Sequence, residues 1–191
     1  MKAARHGWPG RRRRAAGPGG AGRLVFLGET GARTGLCRDH GRAPRGVRAE
    51  AARPFGGWKS VTLVSAVRAS GVAGGLLFRG ALDGAAFAAF LDRVLLPALR
   101  PGDVLVMDNL AVHKTRAAWG RIEAAGVTPL CLPPYSPDLN PIENAFAKVK
   151  ARVRAAAAGT VPKLLTAFSA ALRDVTAEDC RGCFRACGIR L

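Results

Sequence analysis

Six residues constrain this chain more than any others: Asp103-Val-Leu-Val-Met-Asp108, an almost unbroken apolar run closed by an acid. So short a run, without polar alternation, predicts a strand covered on both faces whose carboxyl end reaches the surface at Asp108. Covering both faces requires helices above and below a sheet, so much of the chain must serve that layered arrangement. At 191 residues there is length for one such domain and too little for two.

The flanking patterns supply the layers. Arg23-Leu-Val-Phe-Leu27 reads as a first strand ending near Gly28. Lys59–Val67 and Gly75–Phe78 read as two more, joined to it in an antiparallel meander. From Asp83 the period becomes helical, with Phe87, Phe90, Leu91, Val94 and Leu95 on one face as far as Pro97. After Asp108 come a helix over about His113–Ala125 and a second buried strand, Val127–Leu132. The stiff Pro133-Pro-Tyr-Ser-Pro137 loop then leads to a helix from Pro141 to about Ala158. Two last helices, roughly Val161–Val175 and Ala177–Ala186, pack outside. A meander followed by β-α-β-α alternation predicts an α/β fold: a ribonuclease-H-like mixed sheet with helices on both faces.

Charge points to the partner. Thirty Lys and Arg against 13 Asp and Glu give +17, a field suited to a polyanion, with nucleic acid the default. Residues 1–22, rich in Gly, Pro, Ala and Arg and including the run Arg11 to Arg14, read as a flexible basic arm ahead of a domain at 23–191. No apolar run approaches the roughly 20 residues that span a bilayer, so no membrane insertion is expected. Five scattered cysteines, an odd number, fit a reducing cytoplasm better than a disulfide framework. Cys180, Cys183 and Cys187 suit one face of a helix as core thiols, and for zinc they lack a fourth ligand nearby.

Chemistry concentrates on two acids. Asp108 ends a buried strand and Glu143 sits in the first turn of a helix, so the fold can bring both carboxylates to one sheet edge. Paired carboxylates there suit Mg²⁺, and a basic surface supplies a track for phosphates. Each residue also has a structural reading. Asn140-Pro-Ile-Glu143 is a good helix start, with Asn as cap, Pro first and Glu reaching back to the cap. Asp108-Asn109 suits a turn after a strand, and His113 and Lys114 suit a helix entrance.

The wording around these residues decides between the readings. Val106-Met-Asp-Asn-Leu-Ala-Val-His-Lys114 and Leu132-Pro-Pro-Tyr-Ser-Pro-Asp-Leu-Asn-Pro-Ile-Glu-Asn-Ala-Phe-Ala-Lys-Val-Lys150 closely resemble the DDE transposases of bacterial insertion sequences, in the mariner-related IS-six-thirty group. Thirty-four residues separate Asp108 from Glu143, the interval that group uses between its second Asp and its Glu. The resemblance extends back through Phe26–Thr34 and Gly41–Gly46 and forward to the final helices, covering about residues 23–188. It implies that Asp108 and Glu143 are catalytic metal ligands, with two Mg²⁺ or Mn²⁺ ions in an active member. It also implies that Asn109, His113 and Lys114 lie beside the site near DNA phosphate. The implied partners are element ends and target DNA, with room for a homodimer, in the bacterial cytoplasm at the nucleoid. The implied reaction is cleavage of a phosphodiester by metal-activated water, then attack of the freed 3′-hydroxyl on target DNA.

Two departures from the family stand out. Where it writes Phe-Leu-Asp-Glu-Thr, this chain has Phe26-Leu-Gly-Glu-Thr30, so the first catalytic Asp is Gly28. Glu29 is adjacent but alternates to the opposite strand face, and neither Asp39 nor Asp83 matches the position. Loss of one carboxylate predicts impaired metal binding and catalysis. The family's helix-turn-helix region also has no counterpart before residue 23, so a truncated copy with salt-sensitive, non-specific DNA binding is expected. The alternatives are a non-catalytic DNA-binding remnant that interferes with intact transposase, and a ribonuclease-H-like nuclease for RNA–DNA hybrids.

Overall fold

The computed structural model describes residues 2–38, 40–50 and 59–191, so Asp39 lies outside the described residues. Five strands form one sheet in the order β3-β2-β1-β4-β5: β1 Leu24–Arg33, β2 Ser60–Arg68, β3 Gly71–Arg79, β4 Val104–Met107 and β5 Thr128–Cys131. β1 to β3 are antiparallel, whereas β4 pairs in parallel with β1 and with β5. This is the expected mixed sheet. β1 runs five residues past the expected end at Gly28, because its second half keeps pairing with β2 through Arg33↔Ser60.

Alternation along β1 and β4 divides the core. Leu24, Phe26, Val104 and Val106 face one side with Ile142, Phe146, Val149, Phe168 and Phe184. These last five belong to α4 (Pro141–Ala156), α5 (Val161–Arg173) and α6 (Ala177–Ala186). Val25, Leu27, Leu105 and Met107 face the other side with Phe87, Phe90 and Leu91 and with Ile122 of α3 (Arg116–Ala124). α2 is regular only over Gly84–Phe90, capped by Asp83, and then widens into a π turn at Leu91–Leu95. The helix expected from His113 begins instead at Arg116, because Thr115 caps it and Ala111–Lys114 forms a separate 3₁₀ turn. Cys180 and Cys187 are buried in the first core, with burial raising both thiols to about 11. No helix among the described residues is long and apolar enough to cross a membrane.

The expectation of an unstructured arm needs correction. Lys2–Ala16 forms α1 and Gly17–Arg23 a 3₁₀ segment. The helix has almost no apolar stripe and contains Pro9, so propensity does not hold it. Tertiary anchors do. Trp8 is 1% exposed and, with Ala16, joins the core beneath α4 to α6. The buried Arg12 donates to the Gly188 carbonyl at 3.3 Å, and Arg5 pairs with Asp138. One anchoring ring and two charged tethers leave no periodic signal in sequence. Trp8→Ala is therefore expected to cost about 3 kcal/mol in urea denaturation, whereas an undocked arm would leave the midpoint unchanged.

Candidate active site

The site is built where β1, β4 and α4 meet. Phe26 pairs with Val106, so Gly28 and Asp108, two residues further along each chain, lie together at the carboxyl edge. α4 begins against them. A Cβ added to Gly28 would lie 2.7 Å from Ile142 Cγ2, 3.2 Å from Phe146 Cε2 and 3.6 Å from Glu143 Oε1. A side chain at this position would thus grow toward the Glu143 carboxylate. Asp108 and Glu143 line one cavity of about 180 Å³ together with Asn109, Tyr135 and Asn140.

Asn140 does not act as the expected side-chain cap. Its amide donates instead to the Leu27 carbonyl at 3.2 Å, so no capping box forms and the helix start is tied to β1. The second tie comes from Asn109, whose amide donates to the Leu132 carbonyl at 2.6 Å and holds the end of β4 to the end of β5. Asp108 Oδ1 accepts from His113 Nδ1 at 2.7 Å and from the Leu110 amide at 3.0 Å. His113 is fully buried, its ring 4.7 Å from that of Phe87 and its carbonyl accepting from Trp119 Nε1 at 3.1 Å. His113 thus lies beside Asp108 with its ring enclosed. Lys114, by contrast, is exposed, and it shares with Arg11 of α1 an electrostatic influence on Cys131 at the end of β5.

Three residues carry weight that sequence reading gave them only in part or not at all. Glu29 lines a second cavity, of about 330 Å³, with Glu143 and Lys150. One of its carboxyl oxygens is buried without a hydrogen-bond partner, as is His113 Nε2. Lys150 sits two helical turns after Glu143, a spacing that places both on one face of α4. Tyr135, at the cavity mouth, is 84% exposed.

The carboxylates titrate in opposite directions. Burial alone would raise Asp108, but the hydrogen bonds from His113 and Leu110 and the positive charge of Lys114 outweigh it and hold the group below its usual range. Burial raises Glu143, with Lys150 opposing and Asp108 adding to the shift. Burial likewise raises Glu29, with His113 opposing and Asp108 adding. Among the described residues no three His, Cys, Asp or Glu side chains gather into a metal cage. Two carboxylates on one cavity nevertheless match what a single Mg²⁺ or Mn²⁺ takes from protein, with phosphate and water completing the shell.

Residues 23–165 match the sequence pattern of the DDE superfamily endonucleases. The chain belongs to that family. Its fold is similar to the Mos1 transposase paired-end complex with left transposon end, at TM-score 0.76 and 19% identity over 97% of this chain. It is also similar to the mariner Mos1 paired-end complex with Mn, at TM-score 0.74 and 20% identity over 97% of this chain. The isolated catalytic domain of Mos1 matches at TM-score 0.63 and 16% identity, covering 97% of this chain and 85% of that one. The chain spans 57% of the length of the Mos1 chains in the two complexes. These likenesses establish the ribonuclease-H-like fold. No curated protein matches the sequence.

The opposite titrations give opposite stability effects. A raised carboxyl favours the folded state below its unfolded pKa and loses that advantage as pH rises toward the folded value; a lowered one contributes above its unfolded pKa and loses it as pH falls. Glu143→Gln is therefore expected to raise the thermal midpoint at pH 7 and to lose that gain at pH 4. Asp108→Asn is expected to lower the midpoint at pH 7 and to approach the parent protein at acid pH. Melting curves at the two pH values check both signs.

Proposed function

We propose that this chain is the catalytic domain of a DNA transposase of the bacterial IS-six-thirty group, binding DNA at the Asp108 and Glu143 edge with impaired cutting. The observation carrying this reading is convergence: Asp108, Glu143 and the side-chain direction of Gly28 meet at the carboxyl edge of the parallel strands, on a chain of +17 charge. Transposon-end DNA is the partner in the Mos1 complex, and the same class of ligand suits this charge. Pairing of two copies and residence at the nucleoid follow from that function.

Asp108 and Glu143 are the catalytic pair in this reading and would hold one divalent ion against a DNA phosphate. Such an ion supplies Lewis acidity and lowers the pKa of a bound water. Asp108 is ready as a ligand because His113 and Leu110 keep it ionised and fix one oxygen, leaving the other for coordination. Asn109 and Asn140 hold the two strand ends and the helix start in register around it. Lys114, exposed and close enough for its charge to act on Asp108, helps draw the DNA backbone toward the cavity. The third carboxylate is missing at Gly28, which weakens ion binding and favours the related reading of a DNA-binding copy that does not cut. Glu29 is the nearest substitute, since it shares a cavity with Glu143 and has an unpartnered oxygen.

Nicking of supercoiled plasmid in Mg²⁺ or Mn²⁺ tests this. The parent chain and Asp108→Ala are expected to bind plasmid without cutting it, and Gly28→Asp to cut. Crowding against Ile142 should lower the stability of Gly28→Asp by about 1–3 kcal/mol, so the assay is run well below its melting point. Cutting by the parent chain that Glu29→Gln abolishes would show that Glu29 had taken the third place. Cutting by no variant, with no DNA retained in a gel shift at low salt, would overturn the assignment.

A further inference from the structure

Tyr135 is the single tyrosine of the chain, and its placement is unusual in two respects. It adopts a backbone φ of 53°, a region that bulky residues seldom occupy. Its ring is 84% exposed, so no burial of apolar surface offsets the strain.

The loop around it is tied at both ends. Asn109 and the Met107 carbonyl hold Leu132 at one end, the latter accepting from the Leu132 amide at 2.8 Å. Pro133 and Ser136 are buried, and Ser136 Oγ donates to the Pro134 carbonyl at 3.1 Å. The Leu139 amide donates to the Ser136 carbonyl at 3.1 Å, fixing the other end. Such a loop holds the ring in water rather than letting it fold back. The ring stands at the cavity that Asp108 and Glu143 line.

We propose that Tyr135 is a stacking platform for an unpaired nucleobase at the mouth of the cavity that Asp108 and Glu143 line. This rests on the DNA-binding reading above. An exposed aromatic face accepts any base by stacking, whereas a paired base keeps its own neighbours. A strand whose end is opened at the cavity thus places a base on the ring, with its phosphate approaching the carboxylates through a divalent cation. Tying the backbone on both sides of Tyr135 lowers the loop entropy lost when DNA arrives. Tyr135 is a specificity residue here: it selects opened over paired ends.

The test compares two fluorescent duplexes with Ca²⁺ at low salt, one fully paired and one mismatched over its last three base pairs, with 2-aminopurine at the mismatched end. The parent chain and Tyr135→Phe are expected to bind the mismatched end about tenfold more tightly than Tyr135→Leu does, and to quench 2-aminopurine where Tyr135→Leu does not. All three should bind the paired duplex alike. Tyr135→Gly, free of the φ penalty, should melt at a higher temperature and lose the quench. Equal binding of the mismatched end by the parent chain and Tyr135→Leu, or equal weakening of Tyr135→Leu on both duplexes, overturns the platform and leaves the DNA reading standing. Absence of binding to either duplex by the parent chain overturns both.

Discussion

The hydrogen bond from Asn140 to the Leu27 carbonyl spans 113 residues of sequence, and the candidate site depends on it. It joins the first residue before α4 to the last residue of β1 before Gly28. With that junction fixed, Ile142 and Phe146 pack onto the strand and Glu143 is carried to within reach of position 28. Both partners lie in the interior, where an unpaired carbonyl or amide costs far more than one left in water. The bond therefore sets position more than it adds stability: the helix start has one place to sit.

Electrostatics around that junction is uneven by construction. Asp108 is compensated by a buried imidazole, a backbone amide and a nearby lysine. Glu143 and Glu29 are partly enclosed with less compensation, and each feels the charge of Asp108. A fold selected only for stability would replace such groups. Their retention on a strongly basic chain makes this edge a small acidic island, the arrangement in which a cation and a phosphate can be held together.

Gly28 fits the fold while bringing no carboxylate to the site. The strand continues through it, paired to Ser65, and Ile142 occupies the space a Cβ would claim. Packing there is complete without a side chain at position 28. Among the described residues no three His, Cys, Asp or Glu side chains complete a metal-ligand group there.

Much of this was legible in the chain itself. The apolar run before Asp108, the meander and the later alternation of strands and helices determined the mixed sheet, because burial of both faces of a strand leaves few other architectures. The spacing and wording around Asp108 and Glu143 marked the acids. Periodicity did not reveal α1, since one Trp ring and two Arg tethers hold it without an apolar stripe. Nor did local rules place Asn140 and His113, for a cap is the favoured local use of Asn and a helix entrance that of His. Asn140 bonds instead to Leu27, which the sheet brings near, and His113 turns back onto Asp108 five residues earlier. Sequence fixes which elements form through local period and burial; only the packed structure decides which polar groups meet, because those partners come from different strands and helices.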